Sequence, residues 1–264
     1  MPYALTLTEL ISLRRISFVD NAQLVALSHQ SSLLRQIDIL ANNVSNASTT
    51  GFKSRGLKFQ EYLVGKKRMD SWTKGESSVS FVTNQQALLD FTDGTTERTG
   101  NALDIAMRGK TLLAVKTPSG ERYTRNGALT INGQGQLATS DGHVVLGDGG
   151  PITIDPADGA LSITPDGVVS TKSGPVGKLK IVDVKDPTLL TNQGANLYAA
   201  KSPLPLALAP QLIPGALEKS NVSPVLAMSQ LIEVNRAYAS VAAALQRLDD
   251  TKRNAIERLS SIPA

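Results

Sequence analysis

The chain has 264 residues, 41% of them hydrophobic and 19% charged, which is the composition of a folded protein and not of a disordered one. Its 27 basic and 23 acidic residues give a net charge of +4, too balanced for the footprint of a nucleic-acid binder, and 4% aromatics leave little for base stacking or a sugar-binding platform. There is no cysteine, which removes disulfides and thiolate chemistry, and no run approaches the ~18 apolar residues of a membrane span.

Residues 1–19 contain Leu5, Leu7, Leu10, Ile11 and Leu13, interrupted by Thr and Glu and followed by Arg14 and Arg15. A secretory signal has basic residues before the apolar run, so no cleaved signal is expected. The stretch reads as an N-terminal extension that the native protein need not contain. The first helix is predicted over 20–47. Asp20 has an N-cap side chain, Gln23 completes a capping box, and Val19 with Leu24 has the spacing of a hydrophobic staple. Its stripe is Ala26, Gln30, Leu33, Ile37, Leu40, Val44 and Ala47.

Residues 48–76 read as a linker opening on the turn-prone Ser48-Thr49-Thr50-Gly51. Its basic residues Lys53, Arg55, Lys58, Lys66, Lys67 and Arg68 are expected as a solvated linker or strand edge and not as a phosphate-binding patch. From 77 to 214 the pattern is β-rich. Small polar or acidic residues precede glycine at Ser119-Gly120, Asn126-Gly127, Asn132-Gly133, Asp141-Gly142, Asp148-Gly149, Asp158-Gly159 and Asp166-Gly167, where hairpin turns are expected. Strand-like runs lie at Leu112 to Lys116, Ala128 to Ile131, Val144 to Leu146 and Leu179 to Val184, the spacing of an antiparallel meander or sandwich. Ser202 to Pro214 reads as an extended return.

Residues 215–264 complete the return and form the last helix, capped at Ser223 with proline next. Its stripe, Ala227, Leu231, Val234, Tyr238, Val241, Leu245, Leu248, Lys252, Ala255 and Leu259, alternates in fours and threes like a packing seam. The expected fold is therefore α+β: long N- and C-terminal α-helices packing as a coiled-coil-like core, with a central antiparallel all-β domain. The expected assembly interface is Leu33, Ile37, Leu40, Val44, Leu231, Val234, Tyr238, Val241, Leu245 and Leu248.

Catalytic readings lack parts. His29 and His143 are too few for a histidine metal site. Gly109-Lys110-Thr111 resembles the end of a phosphate loop, but Asp104 stands where the loop's first glycine is needed. The Asp-Gly pairs lack the ligand spacing of an EF-hand, and the three Asn-X-Ser triplets at Asn43, Asn46 and Asn221 match the glycosylation pattern incidentally. No enzyme activity, cofactor or metal is expected. A β-rich hydrolase with helical appendages and a fibre-like adhesin with helical stalks are the rival classes.

The run Ala41-Asn42-Asn43-Val44-Ser45-Asn46-Ala47-Ser48-Thr49-Thr50-Gly51-Phe52-Lys53 closely resembles the N-terminal signature of bacterial flagellar rod and hook proteins. Ser220-Asn221-Val222-Ser223-Pro224, leading into Ile232-Glu233-Val234-Asn235-Arg236-Ala237-Tyr238, is similar to their C-terminal signature. The family residues carried over are Ala41, Asn42, Asn43, Asn46, Thr50, Gly51, Phe52, Lys53, Ser220, Asn221 and Val222. Within the family, Thr99 to Ala106, Gly120 to Gly127 and Thr139 to Gly147 look most like the proximal rod branch, with the distal rod as nearest rival. The chain departs from the pattern at Gly109 to Leu113, where relatives tend to have a glycine-acidic-glycine run and paired aromatics. The resemblance implies a structural subunit of the rod that crosses the periplasm in the flagellar basal body, with itself, other rod subunits and the flagellar type III export apparatus as partners.

Overall fold

The computed structural model describes residues 7–65, 78–155, 159 and 161–260, with side chains for 23–56, 88–155, 159 and 161–258. The first six residues of the expected extension, Lys66, Lys67, Arg68 and Asp158 lie outside the described residues, as do the side chains of Asp20, Lys58 and Leu259. Helix α1 is Leu7–Ser45 and helix α2 is Pro224–Ser260. Between them come β1 (Arg55–Gly65), β2 (Ser78–Leu89), β3 (Thr96–Arg98), β4 (Ile105–Met107), β5 (Thr111–Thr117), β6 (Gly120–Thr124), β7 (Leu129–Ile131), β8 (Leu137–Thr139) and β9 (Val144–Gly147). The series continues with β10 (Gly150–Pro151), β11 (Ser162–Ile163), β12 (Val168–Thr171), β13 (Gly174–Lys178), β14 (Ile181–Asp183), β15 (Leu190–Asn192), β16 (Leu197–Ala200), β17 (Leu212–Pro214) and β18 (Ala216–Glu218).

Helix α1 does not start at Asp20 but passes through it. Residues 7–19 contain neither glycine nor proline, so a helix already nucleated propagates through them, and an aspartate inside it has no free N–H groups to cap. Helix α2 starts at Pro224 as expected, with Ala227 N–H donating to Ser223 O at 2.9 Å.

The chain forms two compact units. The first comprises residues 1–41, 57–87 and 228–264. In it Leu33, Leu40 and Val234 are buried together, flanked by partly buried Ile37, Leu231, Ala237, Tyr238 and Val241. Gln23 donates to Asp249 Oδ1 at 3.0 Å and accepts from Lys252 Nζ at 2.7 Å, so the helices run antiparallel. The expected coiled-coil-like core is not what forms. Among the described side chains the inter-helix apolar packing gathers in that one cluster, and at Gln23 the contacts are polar. A sustained seam needs apolar residues on both helices at every level, whereas α1 offers Gln30, Ala26 and Gln23, and Ala255 of α2 is exposed.

The second unit, residues 42–56 and 88–227, is built on antiparallel pairing. Its main sheet has the order β15-β16-β6-β5-β9-β8-β7, with β14 also paired to β5 and β10 to β9. At its centre Leu112-Leu113-Ala114-Val115 of β5 is wholly buried. Alternate side chains of a strand face opposite sides, and here both sides are covered, which is why the run is continuously apolar. Leu113 and Val115 join Ile105, Leu137, Val145, Val169 and Ile181 on one face. Leu112 and Ala114 join Phe91, Tyr123, Val182 and Tyr198 on the other. Aliphatic side chains thus fill this strand on both faces.

A three-stranded sheet, β11-β12-β13, and two ladders, β17 with β4 and β18 with β3, complete the unit. Those ladders bring the return segment beside residues 96–107, which places Glu218 in the interior. At Asn126-Gly127 the expected hairpin turn is absent. A Cβ on Gly127 would lie 1.8 Å from Ile105 O, so glycine is needed there for close strand approach.

Candidate assembly interface

The N-terminal signature is a helix exit stitched by amides. Asn46 donates to Asn42 O through both its backbone N–H, at 3.2 Å, and its Nδ2, at 2.8 Å, satisfying a carbonyl that the ending helix leaves open. Buried Asn43 accepts from Arg55 N–H at 3.0 Å and donates to Arg55 O at 2.8 Å, so its side chain pairs with the departing strand as a backbone would. Arg55 Nη2 donates to Asn42 Oδ1. Gly51 has φ +68°, and a Cβ there would meet Arg125 O at 2.4 Å. Only glycine fits that turn.

Beyond Gly51 the chain inserts Phe52 and Lys53, each less than 5% exposed. Lys53, expected in a solvated linker or strand edge, is instead a member of a buried ion cluster. Its Nζ donates to Glu218 Oε1 and to Thr92 O, both at 2.7 Å. Glu218 accepts from Arg125 Nε at 2.6 Å and from Gly94 N–H at 2.8 Å. Arg125 spends its other donors on the carbonyls of Met107, Gly109 and Thr111, each at 2.6 Å, and on Asp93 at 3.2 Å.

A buried charge is tolerable only with partners of this kind. Burial pushes the Glu218 carboxyl up, but the hydrogen bond and charge of Arg125, with Lys53 and the Gly94 N–H, outweigh it and hold the group below its ordinary value. Burial draws the Lys53 ammonium below its ordinary value, and Glu218 offsets part of that.

The C-terminal signature lies on the same face of the second unit. Asn221 Oδ1 accepts from Ser54 N–H at 2.7 Å, while its Nδ2 donates to Asp90 O at 2.9 Å and Thr92 Oγ1 at 3.1 Å. Ser220 Oγ accepts from Val222 N–H at 3.2 Å. Glu218 O accepts from Gly51 N–H at 2.8 Å. The two signatures, about 170 residues apart in sequence, are thus one hydrogen-bonded junction, and this accounts for their amide-rich composition.

Arg125, Glu218 and Asn196, whose Nδ2 donates to Thr50 O at 2.8 Å, are parts of the junction that the sequence reading did not single out. A signal existed for Glu218. It is the only acidic residue between Asp186 and Glu233 and stands two residues before a signature.

Of the residues expected to form the assembly interface, Leu33, Leu40, Val234 and Leu245 are buried, and Ile37, Val44, Leu231, Tyr238, Val241 and Leu248 are half-buried. A second apolar row faces away from them. At about 100° per residue, Leu24, Leu27 and Leu34 fall roughly 100–180° around α1 from Leu33, and Val225, Met228 and Ile232 roughly 120–180° around α2 from Val234. All six are exposed, from 44% at Leu34 to 82% at Val225.

Known families match at three places along the chain. The flagella basal body rod protein family matches residues 24–53, the flagellar hook protein FlgE/F/G D1 domain matches 106–171, and the flagellar basal body rod FlgEFG protein C-terminal family matches 213–258. The chain is 41% identical to the flagellar basal-body rod protein FlgF of Caulobacter vibrioides, over 92% of this chain and 100% of that one. It is 34% identical to FlgF of Mesorhizobium japonicum, over 90% and 97%. The flagellar basal-body rod protein FlgG of Bacillus subtilis is 27% identical, over 81% and 89%. With both signatures joined in one junction and relatives matching over about nine-tenths of its length, the chain belongs to the flagellar basal-body rod protein family.

Proposed function

We propose that this structural subunit of the flagellar rod occupies the proximal part of the rod and polymerises with itself and with other rod subunits through its two terminal helices. The carrying observation is the second apolar row. A helix that buries one face against its partner and exposes leucine, isoleucine and valine on the other has a surface to cover. Leu33, Ile37, Leu40, Leu231, Val234, Tyr238 and Val241 pack between the helices, and the half-buried ones among them lend their remaining area to neighbours; Leu24, Leu27, Leu34, Val225, Met228 and Ile232 supply the outward contact.

Two different rows on two helices favour head-to-tail contact, which extends into a filament instead of closing as a dimer. Covering the six outward side chains offers about 1.5–3 kcal/mol for each one fully buried, against the entropy of ordering the helices. The higher identity to FlgF than to FlgG supports the proximal position. The same reading takes export through the flagellar type III apparatus into the periplasm-spanning rod, and the cysteine-free chain suits passage between compartments of different redox poise.

Electron microscopy of basal bodies from a deletion strain tests the proposal. Rods truncated below the hook are expected; complete rods carrying hooks would overturn it.

A further inference from the structure

The second unit contains a groove of about 350 Å³ that neither the ion cluster nor the helix faces use. Its walls carry Asn42, Asn46 and Thr50 from the helix exit, Ser140 and Asp141 from the β8–β9 turn, and Asn196 from the β15–β16 loop, with Arg55, Asn126 and Asn192 also bordering it. Side-chain amides and hydroxyls dominate. Among the described residues that line it, the one carboxylate, Asp141, balances the one guanidinium, Arg55.

Two features are costly in an isolated chain. Arg55 Nε and Asn196 Oδ1, a donor and an acceptor on lining residues, are buried without hydrogen-bond partners. Ala195 and Asn196 adopt φ of +45° and +56°, a left-handed pair in which neither residue is glycine. Such strain persists where surrounding structure holds it, here through the Asn196 bond to Thr50 O.

We propose that the groove receives an extended, neutral peptide segment of an adjoining rod subunit. This deepens the reading of the chain as a rod subunit and rests on it. A peptide group donates and accepts at once and carries no charge, which matches a wall of amides and hydroxyls with paired opposite charges. An anionic or cationic ligand would leave either Asp141 or Arg55 opposed.

The test is photo-cross-linking in intact rods, with p-benzoylphenylalanine placed at exposed Asp141, at Ile232 as a reporter of helix contact, and at Ser173 in the β12–β13 turn as a distant position. Cross-links to a second rod subunit from Asp141 and Ile232 but not from Ser173 are expected. Cross-links from Ile232 with none from Asp141 would overturn the groove proposal, leaving it a water-filled hollow, while the rod reading stands. No cross-link at any position would overturn both.

A filling variant adds an independent measurement. Ser140→Trp should keep the thermal unfolding of the parent and lower incorporation into rods about tenfold, the equivalent of one modest contact. Wild-type incorporation of a Ser140→Trp chain would contradict the proposal.

Discussion

Glu218 is the residue on which the junction turns, because it balances two buried cations at once. Glu218→Gln keeps the shape and removes the charge, leaving Lys53 and Arg125 with only half-exposed Asp93 between them. A loss of about 3–5 kcal/mol is expected from urea unfolding, the range for removing one partner of a buried pair. The folded carboxyl lies below its ordinary 4.5, so the unfolded chain takes up its proton first. The stabilisation from Glu218 is complete above about pH 4.5 and is lost as pH falls through the folded value. The Gln variant should lack that part of the acid dependence.

Gly51→Ala should destabilise by more than ~1 kcal/mol, the upper size of the gain the same exchange brings where the backbone suits alanine, since strain at φ +68° adds to a clash with Arg125 O. Thermal unfolding would measure it. At this scale the sequence was partly legible. The signatures marked Asn43, Gly51, Lys53 and Asn221, but their pairing with Arg125 and Glu218 depends on long-range contact, to which spacing along the chain is blind.

The elements were more legible than their packing. Four strand-like runs correspond to β5, β7, β9 and β14, and the Ser223-Pro224 cap marks the start of α2. The Asp20 capping signals misplace the start of α1, because a capping pattern says where a helix could begin and not whether one is already running. The stripe on α2 reads as a continuous seam, yet among the described residues the partner helix meets it in one apolar cluster. Periodicity reports which face is apolar; it does not report how much of that face the partner covers. Leu40→Ala, within the cluster, should destabilise the helix pair by about 2 kcal/mol or more, followed as loss of helical circular dichroism at lower temperature.

For the whole molecule, the two units differ in what holds them. Among the described residues, the β-unit has two apolar clusters on the faces of its main sheet and a buried ion junction, whereas the cluster between the helices has three buried apolar residues. Hydrogen exchange on the purified monomer should therefore show β5 and β14 amides protected longer than those of either helix, and the helices protected on incorporation. Equal protection in the monomer would count against coupling of helix order to assembly. Such coupling would keep free subunits from polymerising before they reach the growing rod, because each outward row is presented in full only when its helix is ordered.

The outward row is the centre of this account, and Ile232→Asp tests it most directly. Ile232 is 55% exposed, so the substitution leaves the folded monomer intact and places a carboxylate where a neighbour should dock. Quantifying the variant in the culture medium and in purified basal bodies of a deletion strain should find it exported but absent from rods, with motility lost. Wild-type amounts in the rod, with normal swimming, would contradict the claim that this face builds the filament.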